Sequence, residues 1–339
     1  MEVLESPIDD PRWRELADTH PDAGPFHLPA WASLIADCYR FRAFALTVRE
    51  GDEVLAGLPV VEVGARRARR WVSLPFTDSC APLIRAGVAA DEVFAAIEAH
   101  VLAAPVRGLE VRAALPAGAA RHPVAAGYIH TLALPEDPSQ LRPNKGHRNY
   151  RNQAVRKGVR VVRGRSPAEL ATFYRLHTLT RRRHGVPVQP RRFFDLLQQR
   201  LIAPGQGFVA TASADGETLA AGVYLVHNRV LVAKYLGSDP SLPDKRAGYL
   251  IDWDSMVNGC AEGYHTLDLG RSDPDADGLR LYKSSWGAAE APLTYTHISR
   301  TRPPADRGSG GGGIAAAVIR RAPVWVCRAL GELFYRRAA

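Results

Sequence analysis

The sequence predicts an α/β (α+β) chain made of two tandem copies of one unit, each a mixed, largely antiparallel sheet flanked by helices. Three observations carry that expectation. Between residues 207 and 270 the runs "GFVATAS", "ETLAAGVYLVH" and "RVLVAKYLGS" are β-rich and separated by the turn-formers "ADG" and "HN", which reads as an antiparallel meander. A helix follows in "DKRAGYLIDWDSMVNGCAEGY", where Leu250, Trp253, Val257 and Cys260 fall at helical spacing, and then a short strand, "TLDLG". The same order of three strands, helix and strand occurs earlier, in "FRAFALTVRE", "EVLAGLPVVEVG", "RRWVSLPF", "DEVFAAIEAHVLAA" and "GLEVRAAL". The first hairpin arms resemble each other, "EVLAG" at 53 to 57 against "ETLAAG" at 217 to 222.

Along the chain this gives an N-terminal copy over 1–135 and a basic linker helix over 136–160, entered through the Pro-rich "LPEDPSQLRPNKG". The second copy is expected over 161–300, and "TRRRHG" closes a helix at Gly185 with cations that offset its dipole. Residues 301–313 contain "RTRPPADRGSGGGG" and read as a flexible linker. Residues 314–339 read as an amphipathic helix broken near Pro323. Its Arg residues beside Trp325, Leu330, Phe334 and Tyr335 suit either a membrane surface or a docked terminal helix.

The chain has 339 residues, 44 Lys plus Arg and 35 Asp plus Glu, a net charge of +9. From Arg142 to Arg165 there are nine Lys or Arg and no acid, so this run equals the whole excess. Asn144 is placed to cap a helix through Lys157, with Gly158 as its stop. On it Arg148, Asn152 and Arg156 lie at i, i+4 and i+8, with Arg151 one step around. An ordinary exposed helix mixes charges. Here the uncompensated stripe of Arg148, Arg151 and Arg156 points to phosphate binding, against the plainer reading of a solvated face.

Other chemistries lack their signatures. Cys38, Cys80, Cys260 and Cys327 are scattered, which argues against a disulfide scaffold or a zinc site and for a reducing, cytoplasmic setting. His177 and His184 share a helix without a third ligand, and no metal is expected. No signal peptide, spanning segment, P-loop, G-x-G-x-x-G after a strand, G-x-S-x-G or H-E-x-x-H is found. In "LDLGRSDPDADGLRLYKSSWGA", Asp273, Asp275 and Asp277 alternate as in a calcium loop without its closing Glu, so a turn is expected. Lys283, between Tyr282 and Trp286, is the better candidate for chemistry.

The segments "RNYRNQAVRKGV", "FYRLHTLTRRRHGVPVQPRRFFDLL", "LAAGVYLVHNRVLVAKYLGSD" and "LDLGRSDPDADGLRLYKSSWGA" together resemble the FemAB-like branch of the GNAT acyltransferase superfamily. The resemblance runs from about 30 to 300 and rests on order and spacing. It implies two tandem GNAT-like domains and transfer of an acyl group to an amine. The Fem peptidyltransferases take it from aminoacyl-tRNA to a cell-wall precursor, and other members are thought to use acyl-CoA. "YKSSWG" matches the family's aromatic-Lys…Gly segment, so Lys283 inherits a role in the transfer step, with Tyr282 beside it. Arg148, Arg151, Arg156, Arg271 and Trp286 would hold phosphates or substrate. The helix over 145–157 leads straight into a strand, without the long helical hairpin of tRNA-using Fem enzymes. "PDKRAGYLID" offers Arg246 and Gly248 without the spacing of the acetyl-CoA loop. The donor therefore stays open between acyl-CoA and aminoacyl-tRNA. The expected partners are a small-molecule or lipid-linked amine acceptor, tRNA, and a peripheral membrane contact through the C-terminal helix. The competing class is a non-catalytic binder of RNA or of an anionic membrane surface.

Overall fold

The computed structural model describes residues 1–64, 68–303, 313–323 and 326–328. The chain divides into two compact units, one made of residues 1–127 and a segment beginning at Pro292, the other of residues 128–291 and a segment of the C-terminal tail.

In the first unit the elements run β1 (Glu2–Pro7), α1 (Pro11–Thr19), α2 (Pro29–Tyr39), β2 (Arg42–Glu50), β3 (Glu53–Val63), β4 (Arg70–Val72), β5 (Leu83–Ile84), α3 (Ala90–Ala103) and β6 (Leu109–Val111). β1, β2, β3 and β4 form an antiparallel run, and β6 lies parallel to β4. β2 and β3 read as nearly unbroken apolar stretches because both faces are covered. Phe44, Leu46 and Val48 pack with Ile97 and Val101 of α3, while Ala45 packs with Trp13 and Leu16 of α1.

The second unit is entered through β7 (Arg121–Ala133) and continues as α4 (Lys145–Arg156), β8 (Arg160–Gly164), α5 (Pro167–His184), α6 (Arg191–Leu197), β9 (Gly207–Ala214), β10 (Glu217–His227), β11 (Val230–Ser238), α7 (Ala247–Ala261), β12 (Thr266–Ser272) and α8 (Asp277–Ser284). β13 (Ala289–Ile298) leads out of it, and Thr296–Ile298 pair with β6. β9, β10 and β11 are the expected meander, β8 pairs outside β9, β12 runs parallel to β11, and Thr266–Ser272 pair with Tyr128–Ala133 of β7. The turns carry left-handed pairs, Asp215–Gly216 and Asn228–Arg229, whose twist suits two-residue hairpins.

The matching hairpin arms share more than letters. In β3 the register skips Leu55, pairing Val54 with Arg49 and Ala56 with Val48. In β10 it skips Leu219, pairing Thr218 with Ser213 and Ala220 with Ala212. Both copies of the motif place a bulge at its leucine.

The helix expected from Asn144 is present: the Asn144 side chain accepts from the His147 N–H, and Gly158 follows with φ 73°. α5 opens with a Ser166–Glu169 capping box and ends on left-handed Gly185. It crosses β11 at Gly237, where a Cβ would come within 2.6 Å of the His177 backbone nitrogen. The described part of the C-terminal tail, α9 (Gly313–Arg321), packs on α5: a Cβ on Gly185 would meet the Ala316 carbonyl at 2.7 Å. Trp325, Leu330, Phe334 and Tyr335, and the glycine run over 304–312, lie outside the described residues.

His177 yields a pH prediction. It is buried on α5, 3.0 Å from Gln189 Oε1, and burial lowers its pKa to about 4. Between its ordinary value of 6.5 and about 4 the unfolded chain binds a proton that the folded chain refuses. Stability therefore falls as the pH drops through this window, by about 2 kcal/mol at pH 5, and levels off below it. Urea midpoints at pH 7 and pH 5 should show this fall, and His177→Gln should flatten it.

Candidate active site

The second unit opens where its two parallel strands part. β11 and β12 are paired only from Val230–Val232 to Thr266–Asp268. Beyond that point β12 breaks its register at Leu269–Gly270, where Gly270 has φ 73° and donates its N–H to Asp268 Oδ1 at 2.7 Å. β11 instead continues along β10 to Ser238. A cleft of about 400 Å³ lies at the end of β11, walled by Leu219, Leu236, Tyr249 and Tyr282 and rimmed by Arg183, Lys245 and Arg246.

α7 begins at this cleft. It has no side-chain N-cap, and Arg246 stands at the cap position in left-handed conformation. The first N–H groups of such a helix and its dipole favour an anion. The rim cations are held in place: Arg246 pairs with Asp244 at 2.6 Å and lies 4.6 Å over the Tyr150 ring, and Lys245 pairs with Asp215.

α8 supplies the adjoining wall. Tyr282 donates to Asp252 Oδ2 at 2.5 Å, and Tyr224 of β10 donates to Oδ1 at 3.0 Å. Asp252 is enclosed inside α7, and burial raises its pKa. Lys283, the next residue on α8, is only 6% exposed. Its ammonium donates to the Gly270 and Arg271 carbonyls at 2.8 and 2.9 Å, which ties α8 to β12 just past the break. His130 of β7 is buried nearby, 3.0 Å from Glu290. Burial and then the Lys283 charge hold it below the usual histidine range. Asp252 and His130 have no signal in the linear sequence. A single carboxylate among helical apolar residues reads as solvent-facing until the rotation of the helix is known.

Residues 144–284 match the family model described as an acetyltransferase (GNAT) domain. Over 146 residues the chain is 31% identical to a UDP-N-acetylmuramoylpentapeptide-lysine N(6)-alanyltransferase of Weissella viridescens, an alignment spanning 41% of this chain and 41% of that relative. The FemX crystal structure superposes with a TM-score of 0.70 at 13% identity, over 87% of this chain and 97% of that one. Residues 144–284 thus carry an acetyltransferase (GNAT) domain, and the chain is similar to the FemAB-like branch of that superfamily. A tandem GNAT protein from the clavulanic acid biosynthesis pathway matches at a TM-score of 0.51 and 13% identity, over 88% of this chain and 99% of that one. At these identities the two structures speak to fold, and the fold is the tandem GNAT arrangement of mixed, largely antiparallel sheets.

The two GNAT-like copies differ where it matters. In the first unit β4 and β6 are also parallel, through Trp71–Leu109 and Val72–Glu110, but the chain itself fills the gap beyond them. Ser73 N–H donates to the Glu110 carbonyl and Cys80 N–H to the Arg112 carbonyl. α3, the counterpart of α7, carries Asp91 and Glu92 in its first turn, which repel an anion. The second GNAT unit alone combines the open gap with an uncapped, acid-free helix start.

The residues expected at this GNAT site separate into groups. Arg148 and Arg156 are exposed on α4 with no ion-pair partner among the described residues. Arg151 is turned inward, 4.4 Å over the Trp253 ring and bonded to the Asn152 side chain, so the stripe holds two outward arginines rather than three. The i, i+4 spacing could not show this, because it gives a face and not what packs there. Lys157 at the end of α4 donates to the Asp244 carbonyl at 3.1 Å, beside the cleft. Arg271 is exposed and pairs with Asp273 at 2.5 Å. Trp286 is 1% exposed and packs edge-on against His147 at 4.6 Å, so it belongs to the core beneath Tyr282 and not to a ligand surface. Asp277 begins α8 and Asp273 pairs with Arg271, as a turn requires. Among the described residues no group of three His, Cys, Asp or Glu gathers to hold a metal, and no helix is long and apolar enough to cross a membrane.

Proposed function

We propose that the chain is an N-acyltransferase that moves an acyl group from an activated carrier to an amine, with the carrier seated in the cleft of the second unit. The observation that carries this reading is the parting of β11 and β12 beside the uncapped start of α7. The edge of β11 that β12 leaves offers backbone groups around Leu236 to an extended donor, Ser238 being bonded to Thr180, and the helix start offers N–H groups to its phosphates. Direct attack of an amine on an ester or thioester needs orientation and a positive field where oxyanion charge develops. Lys283, fixed on the Gly270 and Arg271 carbonyls, supplies such a field at the end of β12. Arg148 and Arg156, exposed on α4, and Arg271 would hold the phosphates of a large donor or acceptor outside the cleft.

The relative from Weissella viridescens is named for adding alanine to a lysine amine of a UDP-linked muramoyl pentapeptide. The acyl group inferred for this chain is accordingly an amino acid, delivered by aminoacyl-tRNA as the resemblance to the Fem peptidyltransferases implies, and the acceptor a lysine-type amine of a peptidoglycan precursor.

Thermal shift and transfer assays together test this. Aminoacylated tRNA and a soluble UDP-linked pentapeptide should each raise the melting temperature in proportion to concentration over Kd, and together they should yield N-acylated product. Stabilisation and transfer by a coenzyme A thioester alone would replace the donor while keeping the reaction class. No stabilisation and no product with any donor would overturn the reading.

A further inference from the structure

Asp252 is a carboxylate enclosed in the second unit with no ion-pair partner among the described residues. Burying it without a cation is costly, and an amide or an apolar group of similar size would avoid that cost. What surrounds it is a pair of phenols, one on each oxygen: Tyr224 at 3.0 Å and Tyr282 at 2.5 Å. Tyr282 also walls the cleft. Because its proton is committed to Asp252, the phenol has only oxygen lone pairs left to present, so it is set to accept a proton and not to donate one. An attacking amine must lose a proton as it acylates, and the sequence offers no base for it.

We propose that Tyr282 and Asp252 form a proton relay that takes the proton of the acceptor amine. This rests on the acyl-transfer reading above. As the new C–N bond forms, the amine N–H bond breaks and its proton passes to Tyr282 Oη, while the tyrosine's own proton passes to Asp252 Oδ2. The bond from the carbonyl carbon to the carrier breaks with its electron pair going to the carrier oxygen or sulfur, which takes a proton from solvent. Asp252 then returns its proton through Tyr282 to solvent. Tyr282 touches the amine, and Asp252 acts through it.

The surroundings fit this use. Burial raises the proton affinity of Asp252, and burial with the neighbouring Asp252 charge holds Tyr224 and Tyr282 neutral. The other titratable groups facing the pair are Tyr249 on α7, His147 on α4, held below the usual histidine range by burial, and Arg163 of β8, which acts on Tyr224 and is bonded to Asp254. Protonating Asp252 blocks the relay, so kcat/KM should fall on the acid side.

The test is the pH dependence of kcat and KM, read alongside the melting temperature, for the wild type, Asp252→Asn, Asp252→Glu, Tyr282→Phe and Asp252→Asn with Tyr282→Phe. The relay requires roughly 100-fold lower kcat in each single removal, KM within about twofold, and loss of the acid limb. It also requires a double variant no slower than the singles and partial recovery in Asp252→Glu. If Asp252→Asn fails to fold, Tyr282→Phe carries the test, because it removes only a hydroxyl. Wild-type kcat and an unchanged acid limb in the variants, or a loss confined to KM and melting temperature, overturns the relay alone. A wild type that transfers from no donor overturns the functional reading beneath it.

Discussion

Lys283→Met is expected to lower transfer by at least about 100-fold while the chain stays folded at room temperature, because it removes a fixed cation and keeps most of the side-chain volume. The ammonium now satisfies two buried carbonyls, those of Gly270 and Arg271, just where β12 leaves β11. Removing the donor leaves both unsatisfied, at about 1–3 kcal/mol each. The melting temperature must therefore fall as well, and activity has to be compared at a temperature where circular dichroism shows equal folded fractions. Lys283→Arg restores the charge but not the compact geometry, and should fall between the two. Turnover at the wild-type level in folded Lys283→Met would show that the ammonium only staples α8 to β12.

Trp286→Ala should be the most destabilising of the proposed changes. The indole lies against His147 at 4.6 Å and Tyr249 and Tyr282 at 6.3 and 6.4 Å, joining α4, α7 and the end of α8. Deleting a buried aromatic side chain of this size costs about 3–5 kcal/mol through lost burial and the remaining cavity. For a chain of this size that is a fall of roughly 4–7 °C in Tm. Because His147 is the buried inner face of α4, its loss should loosen that helix, and proteolysis near Arg156 should appear before global unfolding. A variant that melts within about 1 °C of the wild type would mean that α4 is held by other contacts.

The architecture was legible because it is written in local periods. The meander, its turns, α7 and β12 follow from alternation, turn residues and helical spacing, each of which depends on near neighbours. Asn144 and Gly158 fixed α4 for the same reason, since a cap and a stop act within one turn. The candidate site of the second unit was legible only in part. "YKSSWG" pointed to Tyr282 and Lys283, but not to the carboxylate at 252 or the carbonyls at 270 and 271 that hold them. Arg151 and Trp286 were read as facing a ligand, although one lies on Trp253 and the other is in the core.

The sequence by itself determined the two-copy order of strands and helices, the basic helix and the resemblance to a family. These depend on hydrophobic period, capping and composition, which a chain carries wherever it folds. The tertiary structure alone decided that one copy of the strand gap is open and the other is filled by Ser73 to Cys80. It alone placed Asp252 between two phenols from β10 and α8. Those outcomes depend on which way each helix is rotated and where parallel strands cease to pair, and contacts between residues distant in the chain set both.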